Sequence, residues 1–74
     1  MVTAILKRGQ HRIIATDVDS EARPLPPGEV RISEWDGTHY CSGALHHATT
    51  PREAAKAYWR RYVGGHYHIE ERTL

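Results

Sequence analysis

Apolar residues along this chain recur with two different periods, and the change from one to the other locates its elements. Residues 2–7 and 11–18 are short runs rich in β-branched and aliphatic side chains, with Arg8-Gly9-Gln10 between them as a hairpin connection. Residues 29–35 and 38–45 flank Asp36-Gly37, a dipeptide that tolerates the positive φ of a two-residue hairpin turn. Such a turn fixes the register: Trp35 opposite Thr38, Ser33 opposite Tyr40, Ile32 opposite Cys41 and Val30 opposite Gly43. Val30, Ile32, Cys41 and Leu45 then share the covered side of a sheet. Arg31, Ser33, Trp35, Tyr40, Ser42 and His46 share the other.

After Thr50 the period lengthens to that of a helix. Thr50 supplies a capping oxygen, Pro51 suits the first helical position, Glu53 completes a capping box, and Gly64-Gly65 ends the run. Ala54, Ala55, Tyr58 and Tyr62 fall on one side with Trp59 at its margin, while Arg52, Lys56 and Arg60 line the opposite side with Arg61 beside them. Period two resumes in residues 66–70, where burying Tyr67 and Ile69 turns His66 and His68 outward. Between the second and third strands, residues 19–28 contain Pro24, Pro26 and Pro27, which favour an extended, exposed loop inside one domain. The order β-β-β-β-α-β predicts an α+β fold: an antiparallel sheet of about five strands with one helix packed on one face.

Size and composition narrow this picture. A chain of 74 residues supports one modest core, so residues 1–74 are expected to form a single domain, as a monomer or a homodimer. Hydrophobic residues at 39% set it apart from disordered tails. Ten Lys and Arg against nine Asp and Glu leave a formal charge of +1, too balanced for binding to nucleic acid by charge alone. Six histidines raise that charge as the pH falls toward about 6. Cys41 is the only cysteine, which rules out an internal disulfide or a cysteine-rich zinc site and points to a reducing, cytoplasmic setting. The N-terminal residues read as neither a signal peptide nor a membrane span.

The outward face is where chemistry is expected. Arg31, Trp35, Tyr40, His46, His66 and His68 would form a surface of aromatic, Arg and His side chains. These types anchor protein interfaces, and they also stack on unpaired bases. Against this stands a plainer role, in which cross-strand aromatics simply stabilise the sheet. Arg52, Lys56, Arg60 and Arg61 are candidates for contact with phosphates or an acidic protein surface, when they are not merely the solvated side of the helix. His46-His47 and His66-x-His68 suggest metal ligands, but adjacent strand residues point to opposite faces and no acidic residue has ligand spacing, so neither metal nor cofactor is expected. Cys41, expected in the core, would be an inert thiol, and neither a serine nucleophile elbow nor a phosphate-cradling glycine loop is present. The expectation is a binding protein and not an enzyme.

The run Tyr40-Cys41-Ser42-Gly43-Ala44-Leu45 followed by Thr50-Pro51-Arg52-Glu53-Ala54-Ala55 resembles HicB-type antitoxin domains and several small phage-encoded anti-CRISPR proteins. HicB-type proteins usually add a DNA-binding segment, and no such segment is expected within these residues. The resemblance therefore implies a stand-alone inhibitor of phage or mobile-element origin that blocks a larger nucleoprotein complex by occupying a surface. Its partner would be a protein, with a small RNA- or single-strand-binding module as the alternative.

Overall fold

The computed structural model describes residues 2–73, and Ser42 in its backbone alone. Strands β1 (Val2–Arg8), β2 (His11–Thr16), β3 (Glu29–Trp35) and β4 (Tyr40–His47) precede helix α1 (Pro51–Tyr62), and β5 (His68–Thr73) follows it. They build one antiparallel sheet in the order β4-β3-β2-β1-β5. The predicted α+β architecture is the one observed. The first four strands form a meander, and α1 carries the chain across the sheet so that β5 pairs with β1.

The helix begins as its sequence dictates. Thr50 is extended at φ −137° and ψ 156°, and its Oγ1 accepts from the Glu53 N–H at 3.2 Å. At the other end the N–H groups of Val63 and Gly64 both donate to the Trp59 carbonyl, and Gly64 and Gly65 take positive φ of 79° and 82°. Arg8 closes this end by donating from Nη1 to the Gly64 carbonyl at 2.9 Å, a cation at the negative pole of the helix.

The core lies between α1 and the sheet. Ala4, Leu6, Ile13, Ala15, Val30 and Ile32 project from the strands, and Ala54, Ala55 and Trp59 meet them from the helix. Four alanines let the two layers approach, and Trp59 fills the space that remains. Trp59, expected at the margin of the stripe, is its centre at 1% exposure, with Nε1 donating to the Gly65 carbonyl at 3.2 Å. Tyr62, expected inside the stripe, is 60% exposed. The cause is the placement of α1 over β1, β2 and β3, which turns its Tyr62 side past the rim of the core.

The second hairpin departs from its expected register. Trp35 pairs with Tyr40 in place of Thr38, so residues 36–39 form a four-residue loop. The Asp36 side chain explains the longer turn: its Oδ1 accepts from the Thr38 and His39 N–H groups at 2.8 and 2.6 Å, while the Asp36 N–H donates to the His39 carbonyl. A second irregularity follows, because Ile32 pairs with Ala44 but Glu34 pairs with Cys41. Ser42 and Gly43 therefore oppose Ser33 alone, a β-bulge that turns over the rest of β4. Leu45, expected in the core, stands on the open side at 58% exposure, and Cys41 is exposed.

The loop before β3 is ordered by Asp19, whose Oδ1 accepts from the Glu21 and Arg23 N–H groups at 2.8 and 2.9 Å. Val18 and Pro24 form an isolated bridge, and Ala22 takes a positive φ of 62°. No helix among the described residues is long and apolar enough to cross a membrane.

Candidate protein-binding face

Alternation along the observed strands assigns the two sides of the sheet. Leu6, Ile13 and Ile32 are buried beneath α1, so their neighbours Ile5, Lys7, Arg12, Ile14, Arg31 and Ser33 occupy the other side. Trp35 pairs with Arg12 on one flank and with Tyr40 on the other, so all three share this open side. Leu45 pairs with Arg31 and joins them because of the bulge. The open side thus carries Ile5, Ile14, Trp35, Tyr40 and Leu45, with Tyr40 60% exposed.

Of the six residues expected to form this surface, Arg31, Trp35, Tyr40 and His68 lie on it, His68 by its pairing with Lys7. His46 does not. It pairs with the buried Val30, and its ring meets that of Tyr58 edge-on at 5.7 Å on the helix side. His66 precedes β5 instead of belonging to it; it is exposed, and its carbonyl accepts from Arg8 Nη1 at 3.4 Å. The side chain of Ser42 lies outside the described residues. Arg52, Arg60 and Arg61 are exposed and Lys56 is half-buried, all on the helix and so on the opposite side of the molecule. Arg52 Nη1 is 3.7 Å from Glu71 Oε2, which ties α1 to β5.

Arg31 lies flat along the open side. A Cβ on Gly43 would stand 2.5 Å from Arg31 Cγ and Cδ, so only glycine leaves room for this side chain to cross β4. The Arg31 Nε is buried without a hydrogen-bond partner among the described residues. Charge on this side is predominantly positive: Glu70 is held between Lys7 at 3.9 Å and Arg72 at 2.6 Å, while Arg12 and Arg31 have no ion pair among the described residues. Sequence reasoning did not place Ile14, Leu45 or Arg12 on this face. Alternation in the first hairpin would have found Ile14 and Arg12, but Leu45 was hidden by the bulge.

The helix side holds a polar chain of its own. Tyr58 donates its hydroxyl to Glu34 Oε1 at 2.7 Å, and His11 Nε2 lies 2.7 Å from Glu34 Oε2. Burial and the Glu34 carboxylate push the Tyr58 phenol up to about 12, so it stays protonated at neutral pH and serves as a donor. The His11 ring sits 5.4 Å from Trp59, which seals the chain against the core. Among the described residues, no three His, Cys, Asp or Glu side chains are placed to hold a metal ion. Comparison with profiles of known families, with curated proteins and with solved structures yields no match to this chain.

Proposed function

We propose that this chain is a non-catalytic protein-binding module, and that it acts as a small inhibitor or adaptor by placing the open side of its sheet on a larger protein or nucleoprotein complex. The observation that carries this reading is the uncovered row of Trp35, Tyr40 and Leu45 beside Arg12 and Arg31. Aromatic and Arg side chains on rigid strands lose little conformational freedom on binding and contribute the largest share of interface energy. Arg12 and Arg31, without an ion pair among the described residues, favour a partner whose apolar patch is bordered by carboxylates.

The test compares the native chain with Trp35→Ala in capture from cell extract and then in affinity for the captured protein, each beside a thermal melt. Loss of roughly thirtyfold in affinity with an unchanged melt is the expected result for an anchor residue. Unfolding of the variant would instead make Trp35 a structural residue. Anisotropy of labelled single-stranded RNA, run at low and physiological salt, tests the competing use of the same aromatics. Tight binding that weakens steeply with salt would replace the protein partner with a nucleic acid.

A further inference from the structure

On the helix side the sheet is only partly covered. Five strands about 4.8 Å apart span about twice the ~10 Å diameter of a helix, and α1 sits over β1, β2 and β3. The β5 flank is occupied by Tyr67, whose ring meets Trp59 at 5.6 Å, and by the Arg52–Glu71 pair. The β4 flank is bare: a groove of about 410 Å³ runs between α1 and β4, lined by His46, Ala57, Tyr58 and Tyr62 and bounded by Glu53 and Arg61. The His46 Nε2 is buried there without a hydrogen-bond partner among the described residues.

The outer wall of this groove has a pattern that fits one occupant. Glu53, Ala57 and Arg61 are spaced at i, i+4 and i+8, so they form a single ridge along α1, and all three are exposed. Glu53 and Arg61 have no ion pair among the described residues, although Arg23, Arg52 and Arg72 do, and the Arg61 guanidinium rests 5.5 Å from the Tyr62 ring centroid. The ridge is symmetric about Ala57, with opposite charges at equal distances on either side.

We infer that the occupant is a second copy of this chain, docked through α1 antiparallel to α1 about a two-fold axis at Ala57. In that arrangement Ala57 meets its own counterpart, and the small side chain lets the helix axes come within ~8–10 Å. Each Glu53 then faces an Arg61 of the other copy, twice per dimer, which is the self-complementarity that an isologous interface requires. Tyr62, 60% exposed in the single chain, is covered at the same contact. The open side of the sheet lies on the opposite surface of each copy and stays free, so the dimer presents two such faces.

The experiment is sedimentation equilibrium of the native chain, Ala57→Arg, Glu53→Arg, Arg61→Glu and the exchanged pair Glu53→Arg with Arg61→Glu, each checked for folding by circular dichroism. The native chain is expected at twice 8.4 kDa. Ala57→Arg is expected at the single mass, each charge reversal is expected to weaken association about tenfold or more, and the exchanged pair to recover it. A native chain that is monomeric at every accessible concentration overturns the inference. So does a dimer indifferent to Ala57→Arg, or one that the exchanged pair, folded, fails to restore. None of these outcomes bears on Trp35, so this inference and the binding role of the open side stand or fall separately.

Discussion

The Tyr58 phenol reaches from α1 to Glu34 on β3, and its ionisation is opposed by burial, by the bond it donates and by the carboxylate charge it would face. Its folded value near 12 lies above the ordinary phenol value of 10.0, so the bond's contribution to stability is complete below pH 10 and disappears as the pH rises to 12. An alkaline titration followed by phenolate absorbance should therefore show a late phase near pH 12 that Tyr58→Phe removes. The same variant should flatten the fall in stability across that window. At the exposed turns the direction is reversed: backbone N–H groups bonded to Asp19 and Asp36 hold both carboxyls below the usual range. What those bonds add is present above the ordinary carboxylate value of 3.8 and is lost as the pH falls below it.

At the scale of elements, the helix was legible because its signals are local. A capping hydroxyl, a proline and two glycines act within a turn of where they stand, and α1 starts and stops beside Thr50 and Gly64. Thr50→Ala should cost about 1 kcal/mol, read as a lowered urea midpoint with an unchanged slope. Strand β3 was legible for a similar reason, since alternation put Val30 and Ile32 in the core, whereas the strands of the first hairpin were read without assigning their faces. Strand β4 was not. Its register depends on how the Asp36 side chain captures two N–H groups and on the bulge beneath Arg31, and both are three-dimensional choices with no periodic trace. This is why Arg31, Trp35 and Tyr40 were placed correctly while His46 and Leu45 exchanged sides. The two edges of the sheet also differ: β5 carries Glu70, Glu71 and Arg72, whereas β4 has no Asp, Glu, Lys or Arg and relies on its bulge to discourage strand addition.

At the scale of the whole molecule, one side chain joins most of the parts. Trp59 meets Arg8, His11 and Tyr67 from three strands or their approaches, and bonds the loop that leads into β5. Truncating a buried Trp to Ala costs about 3–5 kcal/mol, whereas a domain of this length has only about 4–11 kcal/mol in all. Trp59→Ala should therefore lack a cooperative thermal transition, while Trp35→Ala keeps one, and circular-dichroism melts of the pair check this. The contrast separates a tryptophan that holds the layers together from one that faces outward.

In β4, a residue's place in the sequence and the side on which it stands are decoupled by the one surplus residue at 42–43. Pairing 42 and 43 singly, with every residue kept, would set Leu45 opposite Val30 beneath the helix flank and His46 opposite Glu29 on the open side, whereas deleting one of the two would leave both where they stand. A one-residue shift of register in this outermost strand thus rewrites both surfaces at once, trading an aliphatic side chain on one for an imidazole on the other. The surface of such a domain can change without replacing the residues that form it, because the pairing of β4 decides which of them are presented while Leu6, Ile13 and Trp59 remain where they are.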